Sequence, residues 1–250
     1  MKEILSENMK VPDSCEVNKP IYKKLFYENA YLGKKDQELL SKNIEKITWL
    51  YSFKPDTINI LPYNDKEREY EEIAVIEVLL REQSHIKRIA EIIQLTIPYP
   101  LIIIFNYGQK ILFNVAHKRV NMSDESRNTY EELIFTDWVD LASLNKNDKK
   151  FIKSLDITKF SFTNFYWFYS DFVDRINIFN VSLYADEYLL EHDANDLKQI
   201  HDEIKDLEQR ISQLQSDLKK EDHFNKKVKM NVEIKKLKEE KKNLIDKLNS

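Results

Sequence analysis

The chain has 250 residues, 42% hydrophobic and 33% charged, with a formal net charge of −4. That suffices for one core of ordinary size plus an appendage, and it argues against a generic polyanion binder. Gly33 and Gly108 are the two glycines, which excludes a glycine-rich phosphate loop, and the single Cys15 cannot form an internal disulfide.

No apolar run is long enough to span a bilayer, and no export signal opens the chain. With Cys15 alone, a soluble cytoplasmic protein with no membrane partner is expected.

Residues 1–18 are polar and read as a loosely held, irregular start. Ile21 to Tyr31 reads as a helix closed by Gly33 as a C-cap. Asp36 opens a second helix, with Leu39, Leu40, Ile44, Ile47 and Trp49-Leu50 on its inner side. Two short helices could form a helix-turn-helix reader of DNA, but nothing basic marks their exposed face. Packing on a sheet is the preferred reading. Thr57 to Leu61 reads as a short strand ended by Pro62, and Lys66 to Glu72 as a charged loop.

The chain is organised around Glu71 to Asn121. Ile73 to Leu80 (IAVIEVLL) is a buried strand by length and β-branching. Ser84 can cap a helix whose apolar residues are Ile86, Ile89, Ala90, Ile93 and Ile97. Pro98 and Pro100 end that helix. Leu101 to Phe105 is a second strand, and Asn106-Tyr107-Gly108-Gln109 a hairpin turn into a third, through Ile111, Phe113 and Val115. A strand-helix-strand crossover followed by a hairpin gives a mixed sheet.

Asn121 to Asn128 reads as a polar connection, Glu132 to Trp138 as a further strand, and Phe151 to Leu155 as a short helix. From Phe160 an aromatic helix follows, with Phe162, Phe165, Tyr169, Phe172, Ile176 and Phe179 on one face. It is either wedged against the sheet domain or a partner-docking face, since aromatics concentrate where binding energy does.

From Asp193 the pattern changes. Leu197, Ile200, Ile204, Leu207, Ile211, Leu214 and Leu218 are spaced 3, 4, 3, 4, 3, 4, which is a coiled-coil seam. A second series, Met230, Ile234, Leu237, Leu244 and Leu248, has Lys241 in one seam position and does not continue the first register. The break falls in residues 218–227. Residues 193–222 carry nine acidic and five basic side chains; residues 223–250 carry four acidic and nine basic. An antiparallel helical hairpin with arms of about 40 Å is favoured. One long dimerising helix competes with it.

The expected architecture is therefore α+β. It has a small mixed sheet with flanking helices (1–145), an aromatic-rich helical connector (146–192) and a coiled-coil tail (193–250).

Chemistry is harder to find. Asp56 and Glu77, near the ends of adjacent strands, could hold Mg²⁺ for phosphate hydrolysis, as a degenerate metal-dependent nuclease would. The lysine usual two residues after the second acid is Leu79 here, so Lys118 would have to reach in from a neighbouring strand. His85, His117, His192, His201 and His223 include no i, i+4 pair, so neither a metal nor another cofactor is expected. His117-Lys118-Arg119 could touch phosphate, or be a strand end pointing to water. In the tail, Lys226, Lys227 and Lys229 are the candidates for nucleic acid, and Phe165, Tyr169, Phe172, Leu207, Ile211 and Leu214 those for a protein partner.

Several stretches resemble the domain-of-unknown-function family 4391. They are KPIYKKLFYENAYLGKKDQELLSKNIEKITWLYSFKPDTINI, EEIAVIEVLL, TIPYPLIIIF with AHKR after it, IFTDW, and KKEDHFNKKVKMNVEIKKLK. The resemblance lies in their order and spacing and covers nearly the whole chain. His117 departs from it, where an aromatic is expected before the lysine. The resemblance implies a bacterial protein whose gene sits beside helicases and DNA methyltransferases of restriction-modification and phage-defence type, and it supplies no catalytic residues. The expected function is a non-catalytic accessory or scaffold subunit of such a complex, binding the helicase or methyltransferase. Homodimerisation through the tail, a nuclease and a nucleic-acid-binding module are the alternatives.

Overall fold

The structure is a computed structural model and describes residues 2–29, 32–120 and 129–249. The chain divides into two compact units between Ile176 and Asn177. This boundary lies inside one helix, within the expected connector.

The first unit opens with α1 (Lys2–Met9), a 3₁₀ turn (Asp13–Cys15) and β1 (Glu16–Ile21). The expected irregular start is thus structured. Leu5 and Met9, four residues apart, are buried from one face of α1, and Cys15 is buried too. Next come α2 (Lys23–Asn29) and α3 (Lys34–Asn43). Gly33 does not cap α2. It precedes α3 with an extended backbone (φ −66°), so any residue could stand there.

The second predicted helix stops early, because Ile44 to Phe53 is the long strand β2. Its ITWLY run is β-branched and aromatic, and neighbours on both sides complete its hydrogen bonding. The two helices pack on the sheet: Phe26 and Leu40 join its core. The expected strand 57–61 is instead α4 (Pro55–Ile58), with proline at its first turn. The charged loop is bracketed by a hairpin of β3 (Tyr63–Asn64) and β4 (Glu69–Tyr70). Asp65 closes it by accepting from the Glu67 and Arg68 N–H groups.

The central stretch folds as expected: β5 (Ile73–Leu80), α5 (Ile86–Thr96), β6 (Leu101–Tyr107) and β7 (Lys110–Val115). β5 and β6 are parallel, and β6 and β7 form the hairpin. One detail differs. His85, not Ser84, stands at the start of α5, and the Ser84 hydroxyl accepts from Asn43 Nδ2 at 2.7 Å. The turn uses Gly108 at φ +62°, where an added Cβ would meet nothing within 4 Å. The penalty for a side chain is therefore purely backbone. Gly108→Ala is expected to lower stability by about 1–2 kcal/mol in urea unfolding; an unchanged midpoint would contradict this.

Then come β8 (Lys118–Arg119), β9 (Thr129–Tyr130), β10 (Ile134–Phe135) and β11 (Val139–Asp140). The expected connection at 121–128 lies outside the described residues. The single strand expected at 132–138 is broken into β10 and β11, which pair with opposite ends of β7. Among the described residues the sheet is mixed, as expected, but not small: seven strands, in the order β1-β2-β5-β6-β7-β10, with β11 also on β7. β5–β6 is its parallel pair.

Helix α6 (Lys146–Ser154) starts earlier than expected. Asn145 and Asp148 cap it reciprocally. A 3₁₀ turn (Ile157–Lys159) leads to α7 (Phe165–Ser182). The sheet is covered on both faces, as a two-sided hydrophobic sheet requires. One face packs on Ile89, Ala90 and Ile93 of α5. On the other, Phe113 meets Phe151 of α6, and Phe53 meets Phe168 and Phe172 of α7.

The second unit contains α8 (Ala194–Lys220) and α9 (Phe224–Leu248). Asp193 caps α8, accepting from the Asn195 and Asp196 N–H groups. The helices break at residues 221–223, inside the expected window, and pack against each other as a hairpin would.

Candidate functional site

The three residues of the nuclease reading are not assembled. Glu77 pairs across the sheet with Thr48, and Asp56 comes eight residues later, beyond the end of β2. The five residue steps from Thr48 to Phe53 alone extend about 16 Å. Glu77 points away from α5, since its neighbours Ile76 and Val78 take the α5 face. Its carboxylate accepts from Asn106 Nδ2 at 2.9 Å.

Lys118 lies on the α5 side of the sheet. It is not a strand end pointing to water: it is 4% exposed. Its ammonium donates to Gln94 O, and to Ile97 O at 3.1 Å, the carbonyls that end α5. Burial pulls its pKa down to about 7. The lysine thus acts as a helix C-cap. Among the described residues no group of three or more His, Cys, Asp or Glu is placed to hold a metal ion.

His117 and Arg119 flank Lys118 in a different setting. The Tyr70 hydroxyl accepts from the Lys118 N–H at 3.2 Å and meets His117 Nδ1 at 2.8 Å. The His117 ring lies 5.4 Å from both Tyr166 and Tyr169. Arg68 stacks over Tyr166 and shares Glu131 with Arg119. The cations here already have carboxylate partners, so the cluster is a balanced network rather than a phosphate cradle.

Phe165, Tyr169 and Phe172, named as docking residues, are enclosed: 0%, 0% and 2% exposed. They turn inward because the second sheet face needs a cover. Tyr169 does more than fill space. β6 and β7 pair up to Ile102 and Val115. At the next step the Tyr169 hydroxyl accepts from Ala116 N at 2.9 Å and directs its proton at Leu101 O, 2.8 Å away. The side chain therefore continues the ladder where the strands separate.

Leu207, Ile211 and Leu214 are also spent inside the chain. They pack with Ile234 and Leu237 of α9. Lys241, the seam lysine, reaches Glu208 Oε1 at 2.7 Å and lies over the Tyr184 ring. An ion pair thus fills the apolar gap. Of the tail lysines, Lys226 sits 3.4 Å from Glu221, Lys227 is half-buried and Lys229 is exposed.

The outer side of α9 is open. Phe224, Val228 and Val232 stand at i, i+4 and i+8, and are 77%, 44% and 64% exposed. They form an apolar stripe on the side opposite Ile234 and Leu237. Lys227, Lys235 and Lys236 flank it at the three- and four-residue spacings. Scattered apolar residues need no partner, but a stripe with one-sign flanks suits an acidic amphipathic surface.

The model of a family described as a domain of unknown function (DUF4391) matches residues 9–240. The chain belongs to the DUF4391 family. No curated protein and no solved structure matches it significantly. The DUF4391 match takes in the sheet, α8, α9 as far as Glu240 and the stripe from Phe224 to Val232. That stripe was readable in the sequence as F-x₃-V-x₃-V within a lysine-rich helix. The seam beside it is longer and more regular, and so gives the stronger periodic signal.

Proposed function

We propose that this chain is a non-catalytic protein-binding subunit. The outer face of α9 docks on an acidic, apolar-striped surface of a partner protein, and that partner is a helicase or DNA methyltransferase encoded beside it in a bacterial defence or restriction-modification-like complex. The observation that carries this is the exposure of Phe224, Val228 and Val232 on a helix whose other side already completes its own seam. Leaving such a stripe in water forgoes about 1.5–3 kcal/mol for each large side chain, which a partner would recover. The separation of Asp56, Glu77 and Lys118 supports the non-catalytic half of the reading.

The test is co-expression with the products of the adjoining genes, with an affinity tag on this chain. Stoichiometric recovery of the helicase or methyltransferase is expected. Recovery of this chain alone, in low salt and with each neighbour separately, contradicts the reading.

A further inference from the structure

A small pocket in the first unit sits where β2 departs from regular pairing. Leu50 is an extra residue of β2 where it pairs with β5, and on the other side the extra residue belongs to β1, which sets Val17 and Asn18 against Leu50. Toward β5, Trp49 pairs with Ile76 and Tyr51 with Val75. Toward β1, the register shifts between Glu16 and Lys19, and Asn18 adopts φ +48°. A one-residue bulge reverses the alternation of side chains beyond it. Without it, Trp49 would share a face with Tyr51 and Phe53. With it, Ser52 faces the same side as Trp49, opposite Ala74, and brings Lys54 and Glu72 with it.

The result is a pocket of about 310 Å³. Its apolar wall is Trp49 and Tyr99, with ring centroids 6.1 Å apart and planes tilted by 58°. Its polar wall is Glu72, buried, accepting from the Ser52 hydroxyl. Its rim carries Lys19 and Lys54, both exposed, with Lys54 Nζ 3.6 Å from Glu72. Two ammonium groups against one carboxylate leave the mouth positive. A volume at the lower end of small-ligand pockets suits one planar ring system. Aromatic faces accept any base by stacking, a carboxylate accepts from an exocyclic amine, and lysines take a phosphate.

We propose that this pocket binds a phosphorylated nucleotide, with its base against Trp49 and Tyr99, its amine toward Glu72 and its phosphate at Lys19 and Lys54. The ligand is either a free mononucleotide or the phosphorylated end of a strand; the chemistry is the same. Every residue of the pocket lies in the first unit, so the inference stands independently of α9.

Calorimetric titration of the full chain tests it with adenosine, adenosine monophosphate and a 5′-phosphorylated oligodeoxyadenylate. Saturable binding of a phosphorylated ligand is expected. The Lys19→Ala/Lys54→Ala double variant should weaken it about tenfold or more while moving adenosine less than about twofold. Removing Lys54 takes an ion-pair partner from the buried Glu72 and is expected to lower the urea midpoint, so the adenosine affinity of the variant is the control that its pocket is intact. Binding by the mononucleotide identifies the free ligand as sufficient; binding by the oligonucleotide alone identifies the strand end. No saturable binding by any of the three, or equal affinity in the double variant, overturns the proposal.

Discussion

Tyr169→Ala is expected to cost the first unit more than about 4 kcal/mol of stability. Removing a fully buried aromatic ring typically costs about 3–5 kcal/mol through lost transfer energy and the cavity left behind. Tyr169 adds a second loss, because its hydroxyl occupies the ladder step between Leu101 and Ala116. The Ala116 N–H stranded there costs about 1–3 kcal/mol, while Leu101 O keeps Gln94 Nε2 at 3.5 Å. Tyr169→Phe separates the two effects: it keeps the ring packed against Tyr70 and His117 and removes only the hydroxyl. It should cost about 1–3 kcal/mol. Urea unfolding followed by tryptophan fluorescence measures both. A Tyr169→Ala chain with near wild-type stability would mean that the helix is not seated on the sheet, and would return Tyr169 to the role of a docking residue.

The second large effect is a pH dependence centred on Lys118. An unfolded lysine keeps its proton to about pH 10.4, whereas burial releases the Lys118 proton near pH 7 in the folded chain. Between these values the unfolded state binds more protons, so stability rises with pH, by up to about 1.4 kcal/mol per unit. Below about pH 7 the folded chain carries the full cost of a buried ammonium; toward pH 10 that cost is gone. Burial raises the Tyr70 and Tyr169 hydroxyls above the ordinary phenol range, so they hold their protons in the folded chain longer than in the unfolded one. Above about pH 10 they reverse the trend. Urea midpoints between pH 7 and 9.5 are therefore the informative ones. Lys118→Met should flatten the rise over that window. An identical slope in both chains would show that Lys118 keeps its charge at the α5 terminus.

What the sequence disclosed follows from which signals are local. The stretch from Ile73 to Val115 was legible because each piece carries its own instruction: a β-branched run, a helical period ended by prolines, and a glycine at a positive-φ turn. The tail was legible because a heptad seam repeats and then breaks. The first part of β2 reads as helix in the sequence because Leu39, Leu40, Ile44 and Ile47 also fit a helical stripe, and only its two strand neighbours decide the matter. Lys118 and Tyr169 looked exposed or adhesive for a related reason. Nothing near them in sequence reveals the α5 carbonyls or the gap at the end of the β6–β7 ladder.

The same logic explains what was missed at the two surfaces. Trp49, Ser52 and Glu72 share a pocket only because Leu50 is an extra residue in the strand, and a simple two-residue alternation places Ser52 on the wrong face. In the tail, the strongest periodic signal belonged to residues that satisfy one another. Phe224, Val228 and Val232 carry the weaker signal, yet they are the ones left facing water.

The most direct test of the central claim is a comparison of partner recovery by the wild-type chain and a Phe224→Glu/Val232→Glu variant. Both positions are exposed, so the variant should match the wild type in helicity and unfolding midpoint. The account predicts that its recovery of the helicase or methyltransferase falls at least about tenfold, because a carboxylate replaces an apolar contact and repels an acidic surface. Undiminished recovery by a folded variant would contradict it and move the docking site off α9.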